Sequence, residues 1–374
     1  MRTPYHLTLE SRVSNGADNY HFQTADGVCS KQSFRTAELQ LLESLWNTDL
    51  GDLLCPEANY GVVGTVLSDI ANSVHMTEAS ARAVQLCEAN IRENNADATV
   101  SLLADLTRLE RRFDTVAYAP KPYTALPMGQ QRITDALSIL RPGGSLYLIA
   151  AKHTGLSRYE SCLRNLSADV EHVVTVDEYR LLKAQCPQTV DPSTDISRRR
   201  IHATVNGYDL SLVTLPGMFS ASGLDTGTRL LMNSTTVKDG ERVLDLCCGY
   251  GALGVYAAQF ADCEVWLSDD NKVATNCAED SLRASGLNGT VVTANCVDGV
   301  AGWTFDRILC NPPTHAGEGV LDELFSGAHS VLASDGTLSI VHHRSLDLHT
   351  NLTHYNSVER HCIGEEHVVL DVKP

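Results

Sequence analysis

Asp245-Leu246-Cys247-Cys248-Gly249-Tyr250-Gly251-Ala252-Leu253-Gly254 carries more structural information than any other stretch of this 374-residue chain. It continues the β-rich run Arg242-Val243-Leu244 and ends in Gly-x-Gly-x-x-Gly, which opens a segment of helical pattern. The first two glycines permit positive φ and close approach of a ligand to the backbone, and the third lets the helix pack tightly on its strand. A strand, a glycine turn and a helix in this order place a ligand over the first strand of a parallel α/β sheet, at the helix N-terminus.

Moving outward, the run Glu264-Val265-Trp266-Leu267-Ser268 predicts a second strand. A helix over 273–285 and a strand over 290–293 follow, then the strand Phe305-Asp306-Arg307-Ile308-Leu309, a helix over 320–332, a strand over 337–341 and a terminal strand over 367–372. Strands alternating with helices predict a parallel α/β sheet. Ligands of such sheets bind outside the carboxyl ends of the strands, so the residues at those ends are the candidates for chemistry.

Four of them converge. Asp269 ends the second strand and can accept two ribose hydroxyls, a task that a nicotinamide dinucleotide and S-adenosylmethionine both set. Asp245 is a carboxylate where a dinucleotide fold keeps its strand apolar, and it suits the cationic amino-acid end of S-adenosylmethionine. Asn295, after the third strand, can address an adenine edge. Asn311, in Cys310-Asn311-Pro312-Pro313-Thr314-His315, sits between a strand end and two prolines. Proline fixes φ and lacks an N–H, so this loop presents the Asn amide and neighbouring carbonyls as rigid acceptors suited to an amino group.

The N-terminal half repeats the plan with altered signals. Cys55-Pro56-Glu57-Ala58-Asn59-Tyr60-Gly61-Val62-Val63-Gly64 lies opposite Asp245–Gly254, keeping two glycines and losing the Asp and the first Gly. Arg112-Phe113-Asp114-Thr115-Val116-Ala117-Tyr118-Ala119-Pro120-Lys121 lies opposite the strand ending in Asn311-Pro312-Pro313, with Ala119 where Asn311 stands. Leu140-Arg141-Pro142-Gly143-Gly144-Ser145-Leu146 matches Leu332-Ala333-Ser334-Asp335-Gly336-Thr337-Leu338. The chain therefore reads as a duplicated domain whose first copy has lost its chemistry. A Pro-, Thr-, Asp- and Ser-rich linker over 185–197 puts the boundary near residue 195. Beyond it, Asn206-Gly207 between two β-rich runs predicts a hairpin.

Composition sets the outer limits. The hydrophobic content of 43% is that of a globular protein with room for two domains, and no apolar run approaches the ~20 residues that span a bilayer. With no apolar stretch behind the N-terminus, a soluble cytoplasmic protein is expected. The twelve cysteines are scattered without a Cys-x-x-Cys pair, which reads as reduced core residues and no metal site. A net charge of −17 excludes a general nucleic-acid coat protein, although Arg198-Arg199-Arg200, Arg111-Arg112 and Lys121 are candidates for a local basic path. The scarcity of Lys beside frequent Asp and Thr resembles a salt-adapted cytoplasmic proteome.

These residues, together with Leu215-Pro216-Gly217-Met218-Phe219-Ser220 and Gly223-Leu224-Asp225-Thr226-Gly227-Thr228-Arg229, resemble the two-domain ribosomal RNA guanine-N2 methyltransferases of the RsmC type. The resemblance covers nearly all of the second half and, more loosely, the first. It implies two tandem Rossmann-like methyltransferase domains of class I: residues 1–195 degenerate and non-catalytic, available for RNA binding, and residues 196–374 catalytic. It implies S-adenosylmethionine as cofactor, held by Phe219, Thr228, Asp245, Gly249, Gly251, Asp269, Asn295 and Asn311. The catalytic set is Asn311, Pro312, Pro313 and His315, in which the Asn311 amide oxygen and the Pro312 carbonyl accept hydrogen bonds from an exocyclic NH₂ and aim its nitrogen at the sulfonium methyl. The implied partner is ribosomal RNA or a ribosomal subunit, small-subunit RNA favoured; a monomer is favoured, and the residues themselves give no sign of a metal or a membrane.

One position departs from the pattern. Related amino-methylating enzymes usually carry an aromatic residue after Asn-Pro-Pro, where this chain has Thr314. Stacking on the target then passes to His315, Phe219 or Tyr250, or the substrate differs. A protein glutamine amide fits the same loop, a non-catalytic RNA-binding protein would use both domains without turnover, and a nicotinamide oxidoreductase would need a hydride-relay pair that the sequence does not supply.

Overall fold

A computed structural model describes residues 1, 4–11, 16–167, 169–186, 196 and 198–374. The chain forms two compact units, one within Thr3–Ile196 and one within Ser197–Pro374. The linker expected over 185–197 lies largely outside the described residues, as does residue 195.

In the first unit, β1 (Tyr5–Glu10) and β2 (Asn19–Thr24) pair antiparallel ahead of α1 (Thr36–Leu45), β3 (Asp52–Pro56), α2 (Val62–Leu67), β4 (Ser73–Glu78), α3 (Ala81–Glu93) and β5 (Ala98–Leu102). β6 (Phe113–Tyr118), α4 (Leu126–Ser138), β7 (Leu140–Ala151), α5 (Leu156–Leu166), β8 (Val170–Val176) and β9 (Tyr179–Gln185) complete it. The second unit opens with the paired β10 (Arg199–Val205) and β11 (Tyr208–Thr214), then α6 (Thr226–Ser234), β12 (Arg242–Leu246), α7 (Ala252–Phe260), β13 (Glu264–Asp269), α8 (Lys272–Ala284) and β14 (Thr290–Thr293). It ends with β15 (Phe305–Cys310), α9 (Glu318–Val331), β16 (Leu332–His343), β17 (Ser357–Ile363) and β18 (His367–Lys373). Asn206 (φ 50°) and Gly207 (φ 84°) form the turn of the β10–β11 hairpin, both left-handed as a two-residue hairpin turn requires.

The two seven-stranded sheets have the same order, β5-β4-β3-β6-β7-β9-β8 and β14-β13-β12-β15-β16-β18-β17. In each, five parallel strands are followed by an antiparallel pair. The duplication read from sequence is thus a duplication of fold. In the second unit the central strands are buried on both faces, as covered parallel sheets require. Leu309 and Val341 face one core with the α7 and α8 side chains Val255, Tyr256 and Cys277, while Ile308, Cys310 and Ile340 face the other with Leu324, Phe325 and Ala328 of α9.

Two differences from expectation have simple causes. β16 starts directly after α9 because Leu332 pairs with Phe305 and Thr337 with Arg307, so the turn-like Ala333-Ser334-Asp335-Gly336 is accommodated as an irregularity within the strand. β17 went unpredicted because Glu359, Arg360 and His361 face solvent on the sheet edge, where charged residues blunt edge pairing.

Candidate active site and cofactor crevice

Three strands of the second unit end together, Leu246 lying in register with Ser268 on one side and Cys310 on the other. The chain leaves β12 through Cys247 (φ 62°), Gly249 (φ 55°) and Gly251 (φ 83°) before entering α7. A Cβ on Gly249 would meet nothing within 4 Å, so this glycine borders open space, whereas one on Gly254 would fall 2.6 Å from Leu267. Of the two glycines expected to admit a ligand, only Gly249 borders open space; a Cβ on Gly251 would fall 2.9 Å from Leu267 and 3.1 Å from Ala278, so Gly251 shares the packing role of Gly254.

Asp245 is buried, 1% exposed, and its Oδ2 accepts the Gly254 N–H at 2.8 Å, tying β12 to the first turn of α7. Its Oδ1 is buried without a partner. Burial raises its carboxyl to about 7, with the neighbouring Asp269 adding to the shift. Asp269 accepts the Gly249 N–H through Oδ2 and the Asn271 N–H through Oδ1, each at 2.9 Å, and burial raises it to about 6. Each oxygen keeps a second lone pair. Two carboxylates, one with an orphaned oxygen, fit a ligand bearing hydroxyls and a cationic amino group, because an unpaired buried acceptor is costly until such a group meets it. Asn295 follows β14 and is 3% exposed, its carbonyl accepting the Asp298 N–H at 3.0 Å.

Asn311 follows Cys310 at the end of β15. Its Nδ2 donates to Thr228 Oγ1 at 2.9 Å and to Asp225 Oδ2 at 3.2 Å. Asp225 caps α6 by accepting the Thr228 N–H at 2.8 Å, and it accepts the Thr228 hydroxyl at 3.1 Å. A carboxylate only accepts, so the amide nitrogen must face Asp225. The amide oxygen is the atom left to receive an N–H from outside, and among the described residues no donor reaches it.

Thr228, expected to hold the cofactor, spends its hydroxyl on Asn311 and Asp225. Asp225 carries one sequence signal, an Asp ahead of a helix, and nothing local pairs it with a residue 86 positions away. The Pro312 carbonyl accepts the Thr314 N–H at 2.9 Å and keeps one lone pair for a second donor. Pro313 and His315 are exposed, and among the described residues no hydrogen bond caps the loop through His315. Phe219 is 65% exposed, whereas Tyr250 is 5% exposed.

The first unit shows the same crevice filled. Glu78, at the end of β4 as Asp269 is at the end of β13, accepts the Asn59 N–H at 2.7 Å but is paired with Lys121 Nζ at 2.5 Å. Arg35, at the N-cap position of α1 that Asp225 holds in α6 but without a capping bond, pairs with Glu38 at 3.2 Å and donates to the Ala119 and Pro120 carbonyls at 3.2 and 2.6 Å. Lys121 is therefore buried in an ion pair and contributes to no basic path. Arg198 likewise pairs with Asp280 at 2.8 Å, while Arg199 and Arg200 are exposed. Among the described residues no cluster of His, Cys, Asp and Glu could hold a metal ion, no helix is long and apolar enough to cross a membrane, and all twelve cysteines are free thiols.

The chain matches the methyltransferase small domain family over residues 19–183 and again over 209–371. It is similar to a ribosomal RNA small subunit methyltransferase C of Escherichia coli, 31% identical over 67% of this chain and 72% of that one. It is also similar to a ribosomal RNA large subunit methyltransferase G of Aeromonas hydrophila, 36% identical over 40% and 41%. A small subunit methyltransferase C of Pseudoalteromonas atlantica is 29% identical over 54% and 58%, so these last two matches span less than two thirds of the relatives' length. The fold is that of the T. thermophilus 16S rRNA N2 methyltransferase RsmC, solved with AdoMet and guanosine, with TM-score 0.80 and 23% identity over 95% of each chain. With the family matched in both halves and one glycine-loop crevice intact, the chain belongs to the methyltransferase small domain family, in a duplicated fold.

Proposed function

We propose that the second unit methylates the exocyclic N2 of a guanine in ribosomal RNA, with small-subunit RNA the favoured target, and that the first unit is a non-catalytic copy that helps to hold the RNA. The observation that carries this reading is the fixed orientation of Asn311. With its Nδ2 committed to Asp225 and Thr228, its Oδ1 is an acceptor before substrate arrives. The Pro312 carbonyl supplies a second acceptor on a backbone that two prolines hold rigid.

An exocyclic amine is a weak nucleophile because its lone pair is delocalised into the ring. Acceptors on both N–H bonds draw electron density toward the nitrogen, hold the group against rotation, and receive the positive charge that develops as the N–C bond forms. Preorganised acceptors of this kind stabilise developing charge without reorganising during the reaction. S-adenosylmethionine, when bound, supplies a methyl group on a sulfonium leaving group. Asp269 and Gly249 would hold its ribose side and Asp245 its cationic end. The guanine must be unpaired or flipped to reach the loop. Exposed Phe219 and His315 are the rings available to stack on it in place of an aromatic at Thr314. The reading places the protein in the cytoplasm, acting as a monomer on RNA or a subunit.

Labelled S-adenosylmethionine tests the proposal. Label should enter RNA as N2-methylguanine, identified by nucleoside mass spectrometry of the separated subunits' RNA; label in protein instead would refute it in favour of a glutamine amide. Asn311→Ala should lower turnover roughly 10²–10³-fold, the scale for one preorganised polar contact, with cofactor binding kept.

A further inference from the structure

Among the described residues, the first unit has a helix that the second lacks. α5 follows β7 and packs through Leu156, Tyr159 and Leu163 on the sheet face carrying Leu148, Ala150 and Leu182. In the second unit β16 passes instead into an irregular segment, 344–356, from which Leu348, Leu352 and Tyr355 reach the equivalent face. Next to them lies a cavity of about 400 Å³, bordered by His342, Arg344, His349 and Arg360 over the apolar side chains of Val368 and Leu370. That volume is within the usual range for a small-molecule pocket. Its lining starts on the strand next to the reacting loop: Cys310, one residue before Asn311, pairs with Ile340, two residues before His342.

The lining has a definite chemistry. No hydrogen bond or ion pair engages the Arg360 guanidinium among the described residues, and Arg344 spends one nitrogen on the Glu365 carbonyl at 3.0 Å. Asp347 is the acid at the rim, outnumbered by the two arginines. Two arginines against one acid give the lining a local positive excess in a chain of charge −17, which suits an anion. His342 is 7% exposed, and Asp347, His349 and His367 face it. Burial holds it below the ordinary histidine range, so it is neutral near pH 7. Its Nδ1–H donates to the His343 carbonyl at 3.0 Å, which leaves Nε2 an acceptor. Two guanidinium groups, one acceptor nitrogen and an apolar floor match a phosphodiester, a ribose hydroxyl and the face of a sugar or base.

We propose that this cavity holds an RNA nucleotide flanking the target guanine, with Arg344 and Arg360 on its phosphate and the apolar floor under its sugar or base. The inference rests on the RNA-methylating reading of the Asn311 loop. Arg360 is exposed on an edge strand, so Arg360→Ala should leave the fold intact. It should raise the KM for RNA about tenfold, the scale of a lost charge-assisted contact. It should also reduce the slope of log affinity against log salt by about 1, with kcat at saturating RNA and the affinity for S-adenosylmethionine unchanged. Arg344→Ala should act in the same direction, and Arg360→Lys should recover most of the loss. If the wild type methylates RNA but both alanine variants keep its KM and salt slope, the cavity assignment fails while the parent function stands. If the wild type transfers no methyl to RNA, both fail. Saturation of the cavity by inorganic phosphate with no effect on RNA binding would assign a free anion and overturn the proposal.

Discussion

Replacing Asp225 by Ala should disable Asn311 without touching it. The carboxylate caps α6 through the Thr228 N–H at 2.8 Å and orients Asn311 through Nδ2 at 3.2 Å. Losing the cap costs about 1 kcal/mol of stability, which the fold should tolerate. Losing the charged partner removes a hydrogen bond worth about 1.5–3 kcal/mol, and with it most of the energetic difference between the two orientations of the Asn311 amide. Once flipped, the amide presents NH₂ to the substrate's NH₂, two donors that repel. Thr228 Oγ1 accepts from Nδ2 at 2.9 Å and can donate to the flipped oxygen instead, so it enforces neither orientation. Turnover should then fall roughly 10- to 150-fold, the Boltzmann equivalent of that energy. The assay is methyl transfer at saturating cofactor and RNA, with calorimetric titration of S-adenosylmethionine expected to be unchanged. The Asn311→Ala background supplies the control, because there Asp225→Ala should cost nothing further in kcat. A kcat within twofold of wild type, or the same proportional loss in both backgrounds, would refute the orienting role.

Three further outcomes follow from buried charge. Asp245 and Asp269, raised to about 7 and about 6, are acids whose folded values exceed their unfolded ones. The folded apo protein thus holds extra protons between about pH 4 and 7, and its stability should fall as pH rises through that window and level off above it. Cofactor affinity should rise over the same window as the carboxylates ionise, so an equal Kd at about pH 5.5 and pH 8 would contradict the assigned roles. In the first unit, Lys121→Ala leaves Glu78, 2% exposed, without its cation. Denaturant unfolding should register a loss of about 3 kcal/mol, and the double replacement Lys121→Met with Glu78→Gln should recover most of it; a negligible loss in the single variant would mean that the ion pair does not close the crevice.

Much of this protein is legible in its chain. The Gly249–Gly254 loop, the alternation of strands and helices, and the Asn206-Gly207 turn are local signals, each set by backbone sterics within a few residues, and the structure carries them where they were expected. The duplication was legible for the same reason, since both copies preserve the periodicity of one sheet order. β17 was not legible, because an edge strand carrying Glu359, Arg360 and His361 has the composition of a loop.

Pairings across long separations needed the tertiary structure. The sequence marks Asn311 as a presented amide, but an amide offers a donor and an acceptor alike, and its own loop does not select between them. Asp225, brought from 86 residues away to the same strand end, selects the acceptor. In the first copy, Ala119 shows a lost side chain, yet the Lys121–Glu78 pair and the Arg35 hydrogen bonds to the Ala119 and Pro120 carbonyls that fill its crevice are contacts between distant segments. Sequence alone determined the two sheets, the glycine loop and the residues at the strand ends. Tertiary structure decided which way Asn311 faces and which crevice stays open, because each depends on charged groups that meet only after the sheets have formed.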